Sequence, residues 1–135
     1  MDKLDVLTKS KYELQDITAA LANIVGKSRV SSGILVVFVP HTTAGIICNE
    51  AESNLKSDIL KVLEALENNS DFFGGFAHDR DEENAHAHIA AALSGNSQSF
   101  IIENGKIMLG NWQSIMFLEM DGPRKREIWT QILKN

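Results

Sequence analysis

The chain is poor in the residues that most readily betray a fold or a function. It has a single cysteine, Cys48, which excludes an internal disulfide framework. Its setting, Ile46-Ile47-Cys48, reads as a buried inert thiol; a nucleophile would need an electropositive, partly open environment. Two prolines in 135 residues, with no repeat and no low-complexity stretch, leave nothing to act as a linker. One domain over residues 1–135 is therefore expected. The longest apolar run, Ile34–Val39, is far too short to cross a bilayer. The N-terminal Met1-Asp-Lys-Leu-Asp-Val-Leu7 carries charge where a signal peptide needs an apolar centre, so a cytoplasmic protein with no membrane partner is expected. A basic surplus is also missing. Thirteen Lys and Arg against 18 Asp and Glu give a net charge of −5, which argues against a nucleic-acid partner. There is no Walker loop, no GxGxxG, no HExxH and no paired CxxC, so nucleotide or zinc chemistry is not signalled by a familiar motif.

At 44% hydrophobic and 23% charged, the sequence is that of a globular domain, and its periodicity is readable. A first strand is expected over Asp5–Lys9. Asp16 then offers an N-cap to a helix whose stripe is Ile17, Leu21, Ile24 and Val25, closing near Gly26. The continuous, β-branched run Ile34–Val39 suits a strand buried on both faces. Leu55, Ile59, Val62, Leu63 and Leu66 mark the clearest helix, stopped by Asn68-Asn69-Ser70-Asp71. The loop Phe72-Phe73-Gly74-Gly75-Phe76 either covers a site, meets a partner subunit or packs locally. Asn84 can cap an alanine-rich helix ending at Gly95. Ser99–Glu103 and Lys106–Leu109 around Asn104-Gly105 form a hairpin with a type I′ turn. Strands over Ser114–Met120 and Arg126–Leu133 follow. The order β-α-β-α-α-β-β-β-β predicts an α+β domain with helices packed on a mixed or antiparallel sheet.

What the sequence does have is histidine. Three of its four histidines lie in the stretch from His78 to His88, and the fourth, His41, follows the Ile34–Pro40 run and opens His41-Thr42-Thr43-Ala44-Gly45. Imidazole titrates near neutral pH and binds borderline divalent metals. On a helix His86 and His88 lie about 200° apart, so only one of them can share a ligand site with His41 and His78, and the wheel does not choose which. Three histidines with open positions describe a catalytic divalent site. The acids Asp79, Asp81, Glu82 and Glu83 form a solvated loop or supply a ligand or base. Glu50 either caps the following helix or serves a histidine as base or supporting carboxylate. Thr42 and Thr43 either donate to an oxyanion or satisfy a turn. Trp112 either lines a flat heterocycle or packs. Arg124, in the turn Asp121-Gly122-Pro123-Arg124, is placed to grip a phosphate or is a solvated turn residue.

These residues also form an ordered pattern. His41-Thr-Thr-Ala-Gly45 with Asn49-Glu50, Ala87-His88-Ile89, Gly95-Asn-Ser97, Glu103-Asn-Gly105-Lys106, Leu109-Gly110-Asn-Trp112-Gln113 and Glu119-Met-Asp121-Gly-Pro-Arg124 together resemble the YjbQ-like, or secondary thiamine-phosphate synthase, family. The resemblance runs from Asp16-Ile17-Thr18 to the last strand, and departs from the family's pattern at Gly74-Gly75-Phe76. It implies a homotrimer and a weak activity joining a pyrimidine pyrophosphate to a thiazole phosphate with release of pyrophosphate. It implies His41, His78 and His88 as metal positions, choosing His88 over His86. The ion would be a divalent metal such as zinc, nickel or magnesium. Thr42, Thr43, Asn49, Trp112 and Arg124 would hold a phosphorylated small-molecule substrate, and Glu50 and Asp121 would manage a proton or the metal's surroundings. The alternatives are a metal-dependent hydrolase of phosphorylated metabolites and a non-enzymatic trimer that binds a metal or small ligand.

Overall fold

The computed structural model describes residues 1–135. The strands are β1 (Asp2–Leu7), β2 (Glu13–Asp16), β3 (Ser32–Phe38), β4 (Ala44–Asn49), β5 (Ser97–Glu103), β6 (Lys106–Ile107), β7 (Ser114–Glu119) and β8 (Lys125–Lys134). The helices are α1 (Thr18–Ser28), α2 (Ser53–Asn68) and α3 (Ala85–Ser94), with 3-10 turns at Ser70–Phe73 and Ala77–Arg80. One sheet has the order β1-β8-β3-β5-β6 and the other β2-β7-β4. Every pairing is antiparallel. The architecture is the expected α+β domain, with a wholly antiparallel pattern and two strands, β2 and β4, that the periodicity did not separate from their surroundings. No helix is long and apolar enough to cross a membrane.

Two apolar cores meet at β7. Its Ile115 and Phe117 face a core shared with Leu21 and Val25 of α1, Leu35 and Val37 of β3 and Ile128 of β8. Its Met116 and Leu118 point the other way, toward Ala87 and Ala90 of α3 and the half-buried Ile59 and Leu63 of α2. β7 is thus the strand buried on both faces. The sequence assigned that role to Ile34–Val39. There the structure shows alternation instead: Leu35 and Val37 are fully buried while Ile34 is 41% exposed. The reason is topological. β3 has the helical layer on one side only, and its outer face stays open in the single chain.

Local chemistry explains most of the boundaries. Asp16 ends β2 instead of capping α1, though its carboxylate accepts the Thr18 N–H at 2.9 Å. α1 runs past Gly26 and ends at Arg29 in the left-handed conformation. Glu52, not Glu50, caps α2, accepting the Asn54 and Leu55 N–H groups at 2.9 and 2.8 Å. The Asn104-Gly105 turn has both residues at positive φ, 51° and 72°, as a type I′ turn requires.

The site depends on a close approach of α3 to β4. A Cβ built at Gly45 would lie 2.3 Å from the Ser94 Oγ and 2.8 Å from the Gly95 carbonyl oxygen, whereas one at Gly26 meets nothing within 4 Å. Gly45→Ala should therefore cost about 1–3 kcal/mol by overpacking. Gly26→Ala, inside a helix, should gain about 0.5–1 kcal/mol. Urea unfolding of the two variants checks the pair, and equal midpoints would refute the packing argument.

Candidate functional site

The loop between β3 and β4, the start of α3 and the turn between β7 and β8 converge on one cavity. Apart from the Pro40 ring, every residue that lines it is polar or charged. His41, Thr42 and Thr43 come from the first segment. Glu82, Asn84 and His88 come from the second, and Asp121, Arg124 and Arg126 from the third. Of the residues singled out in the sequence, His41, Thr42, Thr43, His88, Asp121 and Arg124 are brought together here. His78 stands next to it, its ring centroid 4.8 Å from that of His88 in an edge-on contact.

Asn49, Glu50 and Trp112 are not brought to this cavity. Ala44 pairs with Glu119 at the site end of β4, whereas Asn49 pairs with Ser114 at the other end. Five residues of extended chain separate those ends by roughly 17 Å. Glu50 and Trp112 flank that far end. Trp112 is exposed and its indole lines nothing here. The Asn49 carboxamide accepts the Glu50 N–H.

The choice between His86 and His88 is decided by packing. His86 is 1% exposed. Its Nε2 lies 3.3 Å from the Tyr12 hydroxyl and 3.7 Å from Glu67, between α3 and the layer below it. His88 faces His78 and the cavity. One donor atom from each of His78, Glu82 and His88 lies within 4.8 Å of the others. His41 is outside this group.

Hydrogen bonds fix two of the imidazoles in opposite tautomers. Asn84 Nδ2 donates to the Asp121 carboxylate at 3.1 Å, so its Oδ1 faces His78 Nε2 at 3.0 Å. An amide oxygen only accepts; His78 Nε2 must carry the proton, and neutral His78 keeps its lone pair on Nδ1. His41 is the reverse. Its Nε2 accepts the Glu127 N–H at 2.9 Å, so in the neutral ring the proton is on Nδ1. His41 therefore presents a donor, suited to an anion, and has no free lone pair for a metal. The donor atoms that could share one cation are thus those of His78, Glu82 and His88, with His41 apart from them.

The residues that sequence reasoning missed are the ones that hold this geometry. Asn84 is buried and spends its side chain on His78 and Asp121, not on capping α3. That helix start is held by Asp79, whose Oδ1 accepts the Ala85 N–H at 2.9 Å. Asp121 in turn accepts Arg124 Nη2 at 2.9 Å, and its carbonyl accepts Arg124 Nε at 2.7 Å. Burial pushes the Asp121 carboxyl up, but the bonds from Asn84 and Arg124 and the nearby positive charges outweigh it and hold it below its ordinary value. Asp121 is thus held as an anion that steadies Arg124. Below them Arg126, 6% exposed, donates to both Glu119 oxygens at 2.8 and 2.6 Å and to the Thr43 hydroxyl at 2.9 Å. The available signal was a charged residue inside each of two apolar strand runs. Cys48 is half-buried at a distance from this site, and burial raises its thiol pKa, as expected of an inert residue.

Burial and the Arg126 charge hold His41 below its ordinary 6.5. The unfolded chain then binds more protons than the folded one as pH falls through that value, so the His41 contribution is full above it and lost below. Protonation also removes the acceptor for the Glu127 N–H. Unfolding free energy should fall between about pH 7.5 and about pH 5, and His41→Gln should flatten that slope. Denaturant titrations across this range test it; an unchanged slope in the variant refutes it.

Comparison with known proteins gives a consistent set of matches. Residues 2–135 match the family described as UPF0047 protein YjbQ-like. A UPF0047 protein of Methanocaldococcus jannaschii is 43% identical over 97% of this chain and 92% of its own length. The UPF0047 protein YugU of Bacillus subtilis is 34% identical over 96% of each chain. Among solved structures, a YbjQ-like protein of unknown function from Sulfolobus solfataricus superposes with a TM-score of 0.92 at 38% identity, covering 99% of this chain and 96% of that one.

Proposed function

The chain belongs to the UPF0047 protein YjbQ-like family, and from its site we propose an enzyme that acts at the phosphate group of a small substrate with the help of a divalent cation. The observation that carries this reading is the chain of contacts His78–Asn84–Asp121–Arg124. It couples a cation-binding donor set to a phosphate-binding guanidinium across one predominantly polar cavity.

The donor chemistry fits a borderline metal such as zinc or nickel better than magnesium. Two imidazoles and a carboxylate make up a familiar catalytic zinc set, and the His78 Nε2–H on Asn84 is the kind of outer bond that orients a ligating ring. A cation there would be held by His78, Glu82 and His88 and would supply neutralisation of phosphate charge and acidification of bound water. The protein's own groups do the rest. Arg124 lines the cavity with its Nε and Nη2 held by Asp121, which leaves Nη1 for a phosphate oxygen. Arg126 is oriented by Glu119. His41 Nδ1–H and the Thr42 hydroxyl complete a set of donors for phosphate oxygens.

Both expected reactions fall in this class. Joining a pyrimidine pyrophosphate to a thiazole phosphate requires a surface that stabilises a cationic ring, and Trp112 is at the far end of β4. Hydrolysis of a phosphate ester requires only water, and we favour it on that ground.

We also propose that the protein works as a homotrimer in the cytoplasm. The number of subunits and the location rest on the family resemblance; the support for a subunit contact is a row of aliphatic side chains across the open face of the larger sheet. Ile34 pairs with Ile101 on one side and Leu133 on the other, and the three are 41%, 64% and 54% exposed. Such a row on a small domain is normally covered.

Three measurements test these readings. His88→Ala and Glu82→Gln should lower zinc affinity at least tenfold, a scale already reached by outer-shell substitutions, whereas His86→Ala should not. Equal zinc affinity in all three variants overturns the donor set. Arg124→Lys should weaken pyrophosphate binding by about 1.5–3 kcal/mol, with Lys125→Ala as control; unchanged calorimetric affinity means the arginine is a surface residue. Light scattering should return three times the chain mass, and Ile101→Lys should reduce it. A monomer mass for the unaltered protein rejects the trimer.

A further inference from the structure

Past His41 and His88 the polar cavity continues into a second hollow of about 380 Å³, between the segment that starts β4 and the C-terminal half of α3. Its far wall is made of the methyl groups of Ala44, Ala91 and Ala92 and the backbone at Gly95. That wall is fixed. The Val39 N–H donates to the Asn96 carbonyl at 2.7 Å and the Ile46 N–H to the Gly95 carbonyl at 3.1 Å. Gly45 closes on Ser94 and Gly95 with no room for a Cβ. No phenylalanine, tyrosine or tryptophan lines the hollow. The His41 and His88 imidazoles stand at its mouth, and deeper in the polar groups are the Thr42 hydroxyl and the Asn96 carboxamide, both on exposed residues and neither used within the protein.

The neighbouring cavity holds a second pointer to a ligand. Arg126 is 6% exposed, yet its Nη1 takes part in none of the bonds that hold Nε and Nη2. No buried side-chain nitrogen or oxygen lacks a partner, so this donor reaches solvent. Arg126 lines that cavity with its charge already met by Glu119, and Nη1 remains a donor that a ligand oxygen can take in place of water; the hollow shows what is attached to that oxygen. A flat aromatic body is normally held by aromatic or broad apolar walls. A body bearing hydroxyls is held by small apolar groups with hydrogen-bonding groups beside them, and beyond the two imidazoles the hollow offers both.

We infer that the substrate is a phosphorylated polyhydroxy compound in the size range of a sugar phosphate. Its phosphate lies among Arg124, Arg126 and His41. Its carbon body lies in the hollow, with Thr42 and Asn96 on its hydroxyls and Ala92 limiting its size. This deepens the proposed phosphate chemistry and rests on it.

Calorimetric titration with inorganic phosphate, a hexose phosphate and phenyl phosphate tests the inference. Hexose phosphate should bind at least about tenfold tighter than either of the others. Ala92 is exposed and leucine is a good helix former, so Ala92→Leu should fold. It should abolish the hexose margin while inorganic phosphate binds as before, and Asn96→Ala should narrow the margin. Phenyl phosphate binding as tightly as hexose phosphate, or a margin that survives Ala92→Leu, overturns this inference and leaves the phosphate site standing. Failure of the unaltered protein to bind even inorganic phosphate overturns the phosphate site and this inference with it.

Discussion

The buried ion pair between Glu119 and Arg126 is the interaction on which the remaining structure depends. Glu119 ends β7 in the smaller sheet and Arg126 opens β8 in the larger, so the pair ties the two sheets together where no backbone ladder does. Glu119 is fully buried, and its oxygens also accept the Thr8 hydroxyl at 2.9 Å and the Met120 and Asp121 N–H groups at 3.1 and 3.0 Å. A buried pair so fully bonded contributes less to net stability than its contacts suggest, because both charges leave water. Removing one partner is another matter; it strands a charge at a cost of about 3–5 kcal/mol. What the pair secures is geometry. Thr43 is held by Arg126, the 121–124 turn by the Glu119 carboxylate, and the end of β1 by Thr8, whose hydroxyl also accepts the Arg124 N–H at 2.8 Å.

From that anchor the site acquires its electrical division. On the Arg126 side, burial and positive charge keep His41 neutral, and a main-chain N–H takes its Nε2 lone pair. On the Asp121 side, a carboxylate held as an anion turns the Asn84 amide, and the amide turns His78 the other way. Two imidazoles of identical chemistry become a hydrogen-bond donor and a lone-pair donor through neighbours in the 121–124 turn and in the strand that follows it. On the proposed reading, those two places would take an anion and a cation, the arrangement phosphate chemistry uses.

The residues that drew attention in the sequence divide along the same lines. His41, Thr42, Thr43, His88, Asp121 and Arg124 meet because β4 and β7 are antiparallel and Ala44 lies opposite Glu119. Asn49, Glu50 and Trp112 stand apart for the same reason, at the other end of those strands. Proximity in sequence placed Glu50 near His41, but an extended strand carried it away. The acidic loop also proved heterogeneous: Asp79 anchors the start of α3, and Glu82 faces His78 and His88.

The sequence by itself determined the α+β class, the three helices, the type I′ hairpin, the single domain and the clustering of histidine with acid. Each of these follows from local rules: apolar spacing, the demand of a tight turn for positive φ, and the scarcity of proline. It did not determine β2 and β4, which are short and carry little alternation. It gave the doubly buried position to β3 when packing confers it on β7. Periodicity records whether a residue prefers burial; only the stacking of α2 and α3 on one face and α1 on the other makes both faces of a strand interior. The tertiary structure alone decided that His86 goes inside and His88 to the cavity, that Asn84 links two elements, and that Glu119 and Arg126 meet. Those outcomes depend on contacts between segments far apart in the chain, where hydrogen-bond partners and burial are set by neighbours no local pattern can name.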